Sequence, residues 1–391
     1  MTPIVTNRKT CTRMIDNPSF ESSAHGRIEQ VLFSIPSWVV RYQNQVEIRG
    51  TSALYRSVFE TLKRHVRFVV VTQQEGEPHL REWLTELGVQ DRTDVVTIPN
   101  RTKLSVWAED KFTVCSDESG NRWLLHPFSE DRCGDATATK AIAELVGWEY
   151  VEVEEPLQSG NILVGDDFML VGADSAAAMS GLGIRDASRT LHVIGSRIPV
   201  PGFKPSYDSR DISVEGAKWC ELCYRGNSAN TVQPVFHIDA FITLAGRGAS
   251  GRNRLLVGDP AMAAQVLGSN LPDHAMQAVF DDIAVQLDAA GFDVIRNPLP
   301  LVFQDNHISK ARQWYFASAN NALVEIDGPL KTVWLPTYGY GCWDVLEATD
   351  RTNEEIWREL GFSVRTLGDF HPFAVNLGAL RCMTKCLIRG K

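Results

Sequence analysis

No stretch of the 391 residues approaches the roughly 20 consecutive apolar residues that a membrane-spanning helix requires. The first twenty residues, MTPIVTNRKTCTRMIDNPSF, lack the apolar segment of a secretory signal. Cysteine is sparse. Its eight positions are Cys11, Cys115, Cys133, Cys220, Cys223, Cys342, Cys382 and Cys386, too few for a disulfide scaffold in a chain of this length. The expected setting is therefore a soluble, reducing, cytoplasmic one. Positive charge is in deficit: 39 Lys and Arg stand against 48 Asp and Glu, a net charge of −9. That balance argues against a nucleic-acid partner and is compatible with a cationic substrate. No unit repeats closely enough in sequence to declare a repeat array. The length suffices to bury a large core without disulfides or metal.

The first thirty residues carry no periodicity and read as an N-terminal arm or tail, leaving 31–391 as the body. From there helices and strands alternate. In SALYRSVFETLKRH, Leu54, Val58 and Leu62 recur at helical spacing, and the β-branched run VRFVVVT follows as a buried strand. PHLREWLTELG reads as a helix stopped at Gly88, then DVVTIP as a strand. TATKAIAELVG and YVEVEE repeat the order. In DHAMQAVFDDIAVQLDAAGFDVI, one apolar face is formed by Met276, Val279, Phe280, Ile283 and Leu287, with Asp273 as the expected cap and Gly291 as the stop. This rhythm predicts an α/β or α+β protein of several similar units with no clear domain boundary. The Gly/Pro-rich stretch from Gly195, continuing to Val232, reads as an insertion near a site.

Four segments carry chemistry. VWAEDKFTV holds Asp110. LQSGNILVGDDFMLVG places Asn161 before an apolar run. VFHIDAFITL sets His237 and Asp239 two residues apart in a predicted strand, hence on one face. NLGALRCMTK holds Cys382. Two buried polar groups in an apolar segment are costly unless partnered. A thiol is mostly protonated at neutral pH, with a pKa of ~8.5, and an imidazole can take its proton to give a nucleophile. The ligand that suits two carboxylates beside such a thiol is a guanidinium, planar and cationic, with several N–H donors.

In order and spacing these segments resemble the guanidino-group-modifying, or pentein, superfamily, which includes arginine, agmatine and peptidylarginine deiminases and the amidinotransferases. The resemblance runs over roughly residues 60–390 and rests on Trp107 to Asp110, Ser159 to Asn161, His237 to Asp239, and Gly378 to Cys382. It implies an α/β fold: a five-bladed pentein β/α-propeller of ββαβ units around a central active site, as one catalytic domain over 31–391. It implies that Cys382 attacks the guanidino carbon, that Asp110 and Asp239 hold the nitrogens, and that His237 serves as acid and base, with Trp107 and Asn161 binding substrate. The implied substrate is a small-molecule or peptidyl guanidine, with no cofactor and no metal. Partners implied are neither nucleic acid nor membrane, and a homo-oligomer is left open. Hydrolysis to a ureido group is the first expectation. Amidino transfer to an amine and an inactive, partner-binding pentein stand beside it. One departure concerns the turn before Asn161, where Gln158 stands in place of the glutamate that partners the histidine in small-molecule deiminases. Another is Glu109, which stands where an arginine is common. Asp166 and Asp167 read most simply as turn residues, with supply of the missing carboxylate as the alternative.

Other patterns are set aside. GRGASG (Gly246 to Gly251) fits a dinucleotide-binding spacing, but a strand rather than a helix follows it. Arg247 and Arg252 beside it remain candidates for an anionic substrate group. Cys220 and Cys223 have zinc or redox spacing without a second pair nearby. Cys386, four residues after Cys382, would share its face in a strand, as a redox pair would require. His371 reads as a loop residue near the cysteine segment, and Trp314, Tyr315 and Phe316 as core.

Overall fold

The computed structural model describes residues 18–128, 132–155, 157–195, 207–224, 235, 237–341 and 343–390. Residues 1–17 of the expected arm, residues 196–206 and 225–232 of the insertion, and Cys11, Phe236 and Cys342 lie outside the described residues. The rest of the expected arm is part of the body. Ser19–Phe20 pairs with the strand Thr113–Ser116, and Arg27–Ser34 begins a central strand. No helix among the described residues is long and apolar enough to cross a membrane.

The fold is mixed α/β, and its described strands form six sheets. Five of them share one pattern, in which an antiparallel pair is followed by a helix and then a parallel strand. One unit runs Thr113–Ser116, Arg122–Pro127, helix Cys133–Val146 and strand Glu149–Val153. A second runs Ile162–Val164, Phe168–Gly172, helix Ala173–Gly181 and Thr190–Ile194. A third runs Ile242–Arg247, Asn253–Asp259, helices Pro260–Leu267 and Gln277–Ala289, and Asp293–Pro298. A fourth runs Leu323–Asp327, Leu330–Thr337, helix Glu347–Glu359 and Ser363–Asp369. The fifth joins the two ends of the chain. Arg27–Ser34, helix Val46–Thr61 and Arg67–Gln73 supply the parallel pair, while Thr384–Gly390 supplies the antiparallel strand, and Thr93–Ile98 extends the edge. The sixth sheet pairs part of the insertion, hairpin Tyr207–Val214 and Ala217–Tyr224, with hairpin Leu301–Asn306 and Ala311–Phe316.

The sequence accounts for these elements locally. Phe68 to Val71 are all fully buried, because a strand with parallel neighbours and cover on both faces needs continuous rather than alternating apolar character. Helix Gln277–Ala289 buries Phe280, Ile283, Ala284 and Leu287, one stripe at helical spacing. Asp273 does not cap it. Met276 takes the cap position and Asp273 pairs with Arg210 of the inserted hairpin at 3.2 Å. Gly147 ends helix Cys133–Val146 with φ 71°, a conformation that costs other residues about 1–2 kcal/mol.

Candidate active site

Each of the five antiparallel pairs is entered through a short turn. Glu109–Lys111, Ser159–Asn161 and Ile238–Ala240 are single 3₁₀ turns, Leu380–Met383 is a short helical turn, and 318–321 leads into Leu323–Asp327. His237 and Asp239 therefore do not lie in one strand, as expected from the apolar run. His237 is extended, with φ −120° and ψ 150°, and Asp239 belongs to the turn after it. The strand proper begins at Ile242.

Hydrogen bonds link the five turns in a closed circuit. Ser159 Oγ donates to Glu109 Oε1 at 2.9 Å. The N–H of Ile238 donates to Asn161 Oδ1 at 3.2 Å. Asn321 Nδ2 donates to the Asp239 carbonyl at 3.4 Å and to Cys382 Sγ at 3.1 Å. Arg381 Nη2 and Lys385 Nζ return to Glu109 Oε1 at 2.9 and 3.1 Å. The circuit brings together Asp110, Asn161, His237, Asp239 and Cys382, residues spread over 272 positions of sequence (382 minus 110).

His237 is 2% exposed. Its Nε2 lies 2.9 Å from Gln158 Oε1, and its Nδ1 lies 3.6 Å from Asp110 Oδ1. Gln158 thus meets the imidazole with a neutral amide. Burial pushes the imidazole down to about 4; Asp110 opposes that, and Arg132 and Arg381 reinforce it. A Cβ on Gly160 would stand 2.4 Å from His237 Nδ1, so only glycine lets the turn approach the ring this closely.

The two aspartates are each held by one arginine. Arg132 Nη1 donates to Asp110 Oδ2 at 2.7 Å, and Arg381 Nη1 to Asp239 Oδ2 at 2.5 Å. The other oxygen of each, Asp110 Oδ1 and Asp239 Oδ1, is buried without a hydrogen-bond partner among the described residues. Burial pushes Asp110 up, but the charges of His237 and Arg132 outweigh it and leave the group below its ordinary value. Asp239 is fully buried, and burial pushes its carboxyl up to about 7 against the pull of Arg381.

Cys382 is 4% exposed, at the end of a bent loop. Leu377 has φ 67°, unusual for a residue with a side chain and a mark of stored strain. Gly378 is wedged between neighbours: a Cβ there would stand 2.4 Å from the Trp107 ring and 3.1 Å from Cys382 Cβ. Trp107, half-buried against Phe373, thus packs on the cysteine loop. Burial, then Asp239 and Asp110, push the thiol well above its ordinary value, while hydrogen bonds from the Ala379 backbone and from Asn321 pull it down. A small apolar cavity adjoins this loop, lined by Val235, Ala240, Phe316, Asn321, Leu377 and Gly378.

Asn161 spends its oxygen on the Ile238 N–H and so fixes the segment carrying His237 and Asp239. Glu109 does not leave net negative charge at the site, because Arg381 and Lys385 both pair with it. Asn321, Arg132 and Arg381 were not singled out by sequence. Arg381 had one signal, its place beside Cys382, whereas Asn321 had none beyond a pair of asparagines before a strand.

The remaining candidates lie elsewhere. Asp166 pairs with His25, and Asp167 pairs with Arg247, so neither carboxylate reaches the circuit. Arg252 pairs with Asp288. GRGASG is a hairpin turn between two strands. Cys382 and Cys386 are both free, the first in a turn and the second in the strand beyond it, against Arg389. Cys220 and Cys223 are free thiols on one strand, and no cluster of ligating side chains suits a metal among the described residues. His371 packs in an aromatic core with Tyr315, Tyr338 and Trp343.

No protein-family model matches the chain, and no curated protein matches it by sequence. Solved structures do match. The agmatine deiminase of C. jejuni superimposes with a TM-score of 0.60 over 95% of this chain and 96% of its own, at 11% identity. The agmatine deiminase of Enterococcus faecalis gives 0.61 over 95% of both chains at 12% identity. A Porphyromonas gingivalis protein provisionally named an arginine deiminase gives 0.60 over 94% and 97% at 14% identity. At these identities the likeness is one of fold, and it runs along nearly the whole chain.

Proposed function

We propose that the chain is a cysteine-dependent guanidine deiminase, converting a guanidino group to a ureido group with release of ammonia. In this reading the five similar units form one catalytic domain, a five-bladed ring over 31–391, with the circuit of turns at its centre. The observation that carries the reading is the pair of buried carboxylate oxygens without a hydrogen-bond partner among the described residues, Asp110 Oδ1 and Asp239 Oδ1, in the same circuit as Cys382 and His237. Leaving a buried acceptor unsatisfied costs about 1–3 kcal/mol, more when it is charged. A guanidinium offers five N–H donors and a permanent charge, and it relieves both oxygens at once.

The chemistry follows from the placement. A bound guanidinium puts positive charge beside the thiol and favours the thiolate. Cys382 gives up its proton to His237, and Sγ adds to the guanidino carbon. The C–N bond to one terminal nitrogen breaks, and that nitrogen leaves as ammonia with a proton delivered by His237. A covalent thiouronium remains on Cys382. His237 then takes a proton from water, the resulting hydroxide adds to the same carbon, and the C–S bond breaks to give the ureido product, with the proton on His237 returned to sulfur to restore the thiol. The test offers the protein alkylguanidines, arginine and an arginine-containing peptide, with products read by mass spectrometry. A ureido product that disappears in Cys382→Ala is expected. A product formed equally by that variant, or none from any guanidine, overturns the reading.

A further inference from the structure

Asn321 is 1% exposed, and its side-chain amide touches more of the nucleophile than any group already assigned a role. Its Oδ1 accepts two backbone N–H groups of the cysteine loop, from Ala379 at 3.1 Å and from Cys382 at 3.0 Å. Its Nδ2 donates to Cys382 Sγ at 3.1 Å and to the Asp239 carbonyl at 3.4 Å. Its own carbonyl accepts the Arg381 N–H at 3.0 Å, and its N–H donates to Ser318 Oγ at 3.3 Å. Both faces of one amide are thus in use: the acceptor face reads the loop, and the donor face reads the sulfur.

We infer that Asn321 is a catalytic residue that fixes the nucleophile loop and stabilises the Cys382 thiolate by donating to Sγ. The inference rests on Cys382 being the nucleophile of the proposed deiminase. Side-chain chemistry leaves few alternatives at this position. Aspartate accepts from both N–H groups but cannot donate to sulfur, glutamine places its amide one carbon too far, and serine is too short to reach both ends. The loop needs the clamp, because Leu377 is held at positive φ and Gly378 is pressed between Trp107 and Cys382. Arg132 and Arg381 lend positive charge near the sulfur, but each spends its hydrogen bonds elsewhere. Arg132 is held by Asp110, and Arg381 is divided between Asp239 and Glu109. Asn321 is thus the side chain that hydrogen-bonds to the sulfur, beside the Ala379 backbone and the more distant arginine charges.

The test needs no substrate. The rate of Cys382 alkylation by iodoacetamide is followed against pH in wild type, Asn321→Ser and Asn321→Asp, with Cys382→Ala correcting for the other thiols. A hydrogen bond to a charged atom shifts an ionisation equilibrium about ten- to a hundredfold. The thiol midpoint is therefore expected to rise by about one to two units in the serine variant, and further in the aspartate variant because of the added charge. A folded serine variant with the wild-type midpoint overturns the inference. Where neither variant folds, the side-chain amide resonance of Asn321 in wild type decides. It is expected to move with the thiol midpoint, and an unmoved resonance overturns the inference. Absence of a ureido product in wild type would sink the deiminase reading, yet these two readouts would still decide what Asn321 does to Cys382.

Discussion

Asp239 offers the sharpest quantitative consequence of the site, because burial pushes its carboxyl to about 7 while its proposed ligand stays charged. Binding a guanidinium requires the ionised form, so binding and proton release are linked. At pH 6 a group with its midpoint at 7 is about nine-tenths protonated, so capture of the cation should release about 0.9 proton per molecule bound. The apparent Kd should weaken about tenfold for each unit below pH 7 and level off above about pH 8. Titration calorimetry on Cys382→Ala with an alkylguanidine, repeated in buffers of different ionisation enthalpy, reads both quantities. Asp239→Asn in the same background should lose the proton release and the pH dependence together. A Kd flat between pH 5 and pH 8 in the Asp239 protein, with no proton released, would refute the reasoning.

Three further outcomes are expected. Gln158→Glu places a carboxylate where Oε1 lies 2.9 Å from His237 Nε2, which should raise the imidazole midpoint from about 4 by about one to three units; a midpoint unmoved in an NMR titration counts against it. Gly160→Ala drives a methyl into the His237 ring, so it should cost about 1–3 kcal/mol in denaturant unfolding and most of the turnover, whereas wild-type stability and rate would contradict the close approach. Stability against pH should show two opposed slopes. His237 is neutral in the folded protein down to about 4 and charged below 6.5 when unfolded, so its term of about 3 kcal/mol is lost as pH falls from 6.5 to 4. Asp239 keeps its proton in the folded protein up to about 7 and loses it above 3.8 when unfolded, so its term of about 4 kcal/mol is lost as pH rises through that window. The two nearly cancel in wild type. Asp239→Asn should become more stable from pH 4.5 to 6.5 and His237→Gln less stable, and urea unfolding with unchanged slopes in both would dismiss the assignment.

The units were legible in sequence where a single period governs a single element. Helix Gln277–Ala289 and the run Phe68 to Val71 read directly as a stripe and a buried strand. The chemistry was legible where residue type is rare for its context, as with His237 and Asp239 in an apolar segment. What local pattern missed was long-range. The strand Thr384–Gly390 completes a sheet with Arg27–Ser34, so the second half of the expected arm could not be read as structured without its partner from the other end of the chain. The apolar run through His237 suggested a strand because a 3₁₀ turn whose backbone is satisfied by Asn161 looks locally the same. Asn321 had only a pair of asparagines before a strand to mark it. Its role exists only because the turn before Leu323–Asp327 meets the turn before Thr384–Gly390.

The central claim is a covalent step at Cys382, and it is tested most directly by acid quench during turnover followed by peptide mass spectrometry. The account predicts an amidino adduct on the peptide carrying Cys382 in wild type, formed more slowly in His237→Gln because the departing ammonia lacks its proton donor, and absent in Cys382→Ala. Steady turnover of a guanidine with no adduct at Cys382 in either protein, or an adduct on another residue, would contradict it.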